Sequence, residues 1–118
     1  MFSLTRDNEY FFFNQSTDMR MSFDSLSGLI RNQFQMNPLN GQVFLFMNKR
    51  RNQIKLLQWQ LGGFMIYYKK LEKGTFSFSP ENNINATYSL KWTDLVMAFE
   101  GVRYKEISRQ SRFSLSID

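Results

Sequence analysis

Hydrophobic positions change their period several times along the chain, and each change marks an element. Residues 10–13, Tyr-Phe-Phe-Phe, form a short aromatic run that stops at Asn14-Gln15-Ser16-Thr17, the pattern of a buried strand with a polar end. Apolar residues then recur at spacings of three and four: Phe23, Leu26, Ile30 and Phe34, with Leu29 alongside. That period predicts an amphipathic helix over residues 22–36 with one stripe against a core. Ser22 stands at its N-cap position and Asp24 in its first turn, where a carboxylate complements the helix dipole; Met36-Asn37-Pro38 ends it. After an Asn40-Gly41 turn, Val43-Phe44-Leu45-Phe46 is continuous and apolar, as a central strand is. Polar Asn48-Lys49-Arg50-Arg51-Asn52 interrupts it. Residues 54–59 resume as a strand, Gly62-Gly63 predicts a tight turn, and residues 64–68 return as the antiparallel partner.

Beyond Gly74 a short strand is expected through Phe76 and Phe78. Residues 79–87, with Pro80 and three Asn, read as the least ordered stretch. Trp92, Leu95, Val96 and Phe99 share one face of a short helix that Gly101 stops. From Arg103 onward basic and hydroxyl residues predominate. The pattern thus predicts a small α+β domain over residues 1–101, an antiparallel sheet with one long and one short helix, followed by a basic, frayed tail over 102–118.

A length of 118 residues, 42% of them hydrophobic and 17% aromatic with 13 Phe, matches one domain with one aromatic-rich core. The sequence has no Cys and no His. Disulfides, zinc fingers, thiol nucleophiles, Ser-His-Asp triads and imidazole proton transfer are therefore excluded together. A cysteine-free domain of this size fits a reducing cytoplasm. No apolar run approaches the roughly 20 residues that span a bilayer, so no membrane role is expected. The opening Met1-Phe2-Ser3-Leu4-Thr5-Arg6-Asp7 lacks a basic region followed by an apolar stretch and is not read as a signal peptide.

The net charge is +5, and its distribution says more than its total. Residues 47–73 hold seven cations against the single acid Glu72, while the rest of the chain holds eight basic and nine acidic residues. The surplus belongs to one segment. A local cationic field attracts polyanions, nucleic acid first, although a merely solubilising surface has the same composition. The candidate nucleic-acid-binding residues are Lys49, Arg50, Arg51, Lys55, Trp59, Tyr67, Lys69, Lys70 and Lys73. Guanidinium groups suit bidentate phosphate contacts, and Trp or Tyr beside them can stack on bases. A turn at Gly62-Gly63 would gather Lys55, Trp59, Tyr67 and Lys69, provided the pairing register matches their faces.

The same stretch carries a resemblance. Asp18-Met19-Arg20, Ser22-Phe23-Asp24, Val43-Phe44-Leu45-Phe46, Arg50-Arg51-Asn52, Ile54-Lys55-Leu56-Leu57, Trp59, Gly63-Phe64 and Tyr67-Tyr68-Lys69-Lys70-Leu71-Glu72-Lys73-Gly74 with Phe76 resemble, in order and spacing, the second-reading-frame accessory protein TnpB of bacterial insertion sequences of the family numbered sixty-six. This family is distinct from the RNA-guided nuclease of the same name. The resemblance runs from about residue 2 to residue 101, departing from the family's pattern at Met21, Gln60 and Lys70. It implies an accessory factor for transposition in the bacterial cytoplasm, encoded beside a separate transposase, with transposon DNA and that transposase as partners. It carries over no catalytic residues.

No enzyme and no cofactor are expected. Metal-dependent strand transfer or nuclease chemistry needs clustered carboxylates, and Asp18, Asp24, Asp94 and Glu100 are sparse candidates. Asp18 is better placed to pair with Arg20 or Lys55, or to cap a turn. The alternative function is a protein adaptor, in which the basic hairpin docks an acidic patch of the transposase and makes no DNA contact. Self-association through an exposed sheet edge is also open to such a domain.

Overall fold

The computed structural model describes Leu4, residues 7–77, 87–91, Thr93, 95–97 and 102–103. Its centre is a five-stranded sheet in the order β4-β3-β2-β1-β6, formed by β1 (Tyr10–Ser16), β2 (Val43–Met47), β3 (Gln53–Gln60), β4 (Gly63–Lys70) and β6 (Thr87–Leu90). The short strands β5 (Thr75–Phe76) and β7 (Val102–Arg103) pair with each other. Helix α1 (Phe23–Leu29) runs on into a π-helical turn at Ile30–Phe34. A further helical piece includes Thr93 and residues 95–97. The α+β class expected from the sequence is the class observed.

The sheet is mixed, however, not wholly antiparallel: β1 and β2 run parallel, with Tyr10, Phe11 and Phe12 opposite Val43, Phe44 and Leu45. A parallel pair needs a crossover of a dozen or more residues. Residues 17–42, which contain α1, supply it and return the chain to the end of the sheet where β1 began. All other pairings are antiparallel.

Both faces of the sheet are covered, and strand alternation decides which residue goes where. On the helix side, Leu26, Ile30 and Phe34 bury themselves against Phe13, Phe44, Phe46 and Leu57. Phe34 is the hub, with its ring 5.4 Å from Phe13, 5.3 Å edge-on from Phe44 and 5.7 Å from Phe46. Phe23, expected in that stripe, lies at its outer end and is 44% exposed. Ser22 occupies the N-cap position without a side-chain hydrogen bond. The helix ends when Gln35 turns left-handed (φ 56°) and Met36 N–H donates to the Ile30 carbonyl at 3.1 Å, three residues before Pro38. On the opposite side Tyr10, Phe12, Val43, Leu45, Met47, Ile54 and Leu56 pack with Phe76, Leu90 and Leu95. The aromatic run of β1 is thus core on both faces, with Phe11 partly buried at the margin.

The β3–β4 turn is Leu61-Gly62, not Gly62-Gly63. Both residues have positive φ, 45° and 84°, and Gly63 pairs with Gln60 inside the ladder. This is the double left-handed geometry of a two-residue hairpin. Residues 78–86, most of the expected irregular stretch, lie outside the described residues, as do Gly101 and the tail from residue 104. No helix among the described residues is long and apolar enough to cross a membrane.

Candidate nucleic-acid interface

The β2–β3 turn is built around one side chain. Asn48 Oδ1 accepts from the backbone N–H groups of Asn52 (3.0 Å) and Gln53 (2.9 Å), and its Nδ2 donates to Asn52 Oδ1 (2.7 Å). The Arg51 N–H donates to the Asn48 carbonyl at 3.0 Å, and Arg51 is left-handed, φ 61°. Short polar side chains that bond to nearby backbone favour this kind of turn. Its effect is to hold Lys49 and Arg50 outward, both exposed, with Arg51 half-buried behind them.

The end of β4 reaches the same edge of the molecule. Gln53 pairs with Lys70 and Ile54 with Lys69, so these lysines stand at the start of β3, beside the turn. The chain then folds back along it: Leu71 N–H donates to the Asn52 carbonyl and Phe76 N–H to the Arg51 carbonyl, each at 2.8 Å. Lys73, exposed, lies within this return. Six of the seven cations between residues 47 and 73 therefore gather at one end of the sheet. Lys69 and Lys70 point to opposite faces, as neighbours in a strand must. Lys49, Arg50, Lys70 and Lys73 make no ion pair with another described residue.

Lys55 is the seventh, and it is buried. At 7% exposure, its Nζ donates to the carbonyls of Met19 (2.8 Å) and Met21 (2.7 Å) and lies 4.8 Å from the centre of the Tyr68 ring. It ties the β1–α1 connection to the sheet. The structure also separates residues that the sequence grouped. A two-residue turn pairs odd-numbered residues of β3 with even-numbered residues of β4: Lys55 faces Tyr68 and Trp59 faces Phe64, whereas Tyr67 opposes Leu56 on the other face, where Lys69 opposes Ile54. Trp59 sits at the far end of β3 from the basic turn, its ring edge-on to Phe64 at 5.0 Å. Tyr67 is half-buried and its hydroxyl accepts from Gln60 Nε2 at 3.1 Å.

The aromatic side chain that does stand beside the cations is Tyr68, 52% exposed, its hydroxyl donating to Gln53 Oε1. It lines a groove of about 690 Å³ on the helix side, together with residues 16–20, Asn48, Lys49, Arg50 and Gln53. A smaller depression of about 310 Å³ on the other side is bordered by Gln15, Asn48, Lys49 and Arg51. The basic turn is the ridge between them. Arg20 enters the larger groove but is engaged: its guanidinium donates to both oxygens of Asp18, the closest contact being 2.6 Å, and its backbone N–H also reaches Asp18. Those hydrogen bonds from Arg20 hold the Asp18 carboxyl at about 2, below its ordinary 3.8. Tyr68, Asn48 and Arg20 escaped selection from the sequence. Any two-residue turn between β3 and β4 would have put Tyr68 on the Lys55 side, and that parity was the available signal. Among the described residues no group of three or more carboxylates, His or Cys could hold a metal ion.

The chain belongs to the IS66 Orf2-like protein family, whose profile matches residues 8–109. It is also similar to two proteins of Sinorhizobium fredii (strain NBRC 101917 / NGR234). The uncharacterized protein y4hO is 34% identical over 61 residues, 51% of this chain and 52% of the relative. The uncharacterized protein y4jC is 30% identical over 66 residues, 56% of each chain. The chain spans about half the length of the curated relatives it matches. No solved structure matches it.

Proposed function

We propose that this protein is an accessory factor for transposition of a bacterial insertion sequence, working in the cytoplasm beside a separate transposase. It binds DNA through the basic end of its sheet and performs no covalent chemistry itself. Family membership supports the transposition role. The observation that carries DNA binding is the convergence of Lys49, Arg50, Arg51, Lys69, Lys70 and Lys73 on one end of the sheet, on a rigid turn and a strand terminus. Cations so placed reinforce each other's field, and the backbone that carries them needs no reordering when they meet phosphates. Of the other candidates, Lys55 acts from within by supporting Tyr68, and Trp59 and Tyr67 shape the hairpin.

Fluorescence anisotropy with labelled DNA at two salt concentrations tests this. The triple variant Lys49→Ala, Arg50→Ala, Lys70→Ala is expected to bind at least about tenfold more weakly at low salt and to melt as the parent does. If the parent binds no DNA yet captures the transposase through these same cations, the adaptor reading replaces this one.

A further inference from the structure

We infer that the larger groove receives an unpaired nucleotide, so that the DNA recognised at this end is single-stranded, with one base stacked on Tyr68 and the flanking phosphates on Lys49 and Arg50. The inference rests on the proposed DNA binding and specifies its substrate.

Tyr68 is held in advance of any ligand. Its hydroxyl is engaged by Gln53, and its ring lies against the Lys55 ammonium, which two backbone carbonyls in turn fix in place. With the residue still 52% exposed, the ring offers a base a flat surface whose rotamer is already set, and stacking then costs little ordering. The groove is shallow and open, and its space of about 690 Å³ leaves room for one nucleotide to lie against Tyr68 without being enclosed. The charge around the ring is also appropriate. Asp18 and Arg20 neutralise each other inside the groove, leaving Lys49 and Arg50 at the rim to meet phosphates.

Duplex DNA cannot use this arrangement. Its base faces are stacked on one another, so the Tyr68 ring can stack on one only after a base has left the stack. A duplex would meet the rim cations alone. Base identity should matter little. Asn48 spends both ends of its amide within the turn and Gln53 Oε1 accepts from Tyr68, so the main hold on a base is its face, which every base offers.

The experiment compares a labelled oligothymidylate of about 12 nucleotides with a duplex of the same length, using the whole chain at low salt. The single strand is expected to bind about tenfold or more tightly than the duplex. Tyr68→Leu should weaken single-strand binding by about tenfold while leaving duplex binding unchanged, even where the loss of the ring over Lys55 lowers the melting temperature, and Tyr68→Phe, which keeps that ring, should retain both single-strand binding and stability. Equal affinity for both DNAs, or a Tyr68→Leu variant that binds the single strand as the parent does, overturns the inference while the DNA-binding reading stands. Failure of the parent to bind either DNA overturns both.

Discussion

Lys55 is the clearest case of a residue whose type and whose role diverge. A cation at 7% exposure persists because two carbonyls and an aromatic face replace its water. Lys55→Met keeps the volume but leaves the Met19 and Met21 carbonyls without their donor. It should cost about 2–4 kcal/mol in a urea titration, from the loss of two charge-assisted hydrogen bonds. Leu61 presents the opposite situation. It is fully exposed and left-handed, φ 45°, a conformation that costs a branched residue about 1 kcal/mol. Leu61→Asn, giving the Asn-Gly pair such a turn prefers, should stabilise the protein by about 0.5–1 kcal/mol and raise its melting temperature. Asp18 supplies a pH signature. Because its pKa in the fold, about 2, lies below the ordinary 3.8, its pairing with Arg20 favours the folded state above about pH 4 and is lost as pH falls through about 2. Carboxyl chemical shifts followed by NMR should show that low midpoint in the parent. They should show a return toward the ordinary value in Arg20→Ala.

At the scale of elements, the turn of residues 48–52 depends on Asn48. Asn48→Ala removes three hydrogen bonds from it. The expected result is a loss of about 1–2 kcal/mol by thermal denaturation, faster amide exchange at Asn52 and Gln53, and weaker DNA binding although no charge has changed. Much of this level was legible beforehand. The strands through Phe12, Phe44, Leu56 and Ile66 and the helix through Leu26 and Ile30 follow from period and composition. Two things did not. The parallel pairing of β1 with β2 is a choice between distant partners, and nothing in either strand's own residues encodes the direction in which it is joined. The hairpin register hung on one residue: Gly62-Gly63 has the look of a turn, but Leu61 takes the first left-handed position. The tight two-residue connection then decides that Tyr68, and neither Tyr67 nor Trp59, accompanies the cations. Basic residues could be located from the sequence alone because charge needs no register to be counted. Aromatic residues also needed the parity of the hairpin pairing, because their role depends on which face they occupy.

For the molecule as a whole, the decisive feature is polarity along the strands. One end of the sheet carries six cations, while at the other the Leu61-Gly62 turn carries none and Lys91, just after β6, is the one described cation. Such an object should approach a polyanion in one orientation and respond strongly to ionic strength. Neutralising about four phosphates predicts a slope of log K against log salt near −2.8 on a single strand and near −3.6 on a duplex, and each cation removed from the basic end should make it shallower by about 0.7 or 0.9 respectively. A slope unaffected by Lys49→Ala and Arg50→Ala would place the contact elsewhere. The way the basic turn is held has a practical corollary. Its path is set by an amide clamp and by main-chain hydrogen bonds, with the side chains at positions 49 and 50 taking no part. Those two positions can therefore be rewritten, in sign as well as in number, on an unchanged frame. Transplanting the Asn48-to-Gln53 hexapeptide into an unrelated antiparallel hairpin should carry its conformation along with its charge.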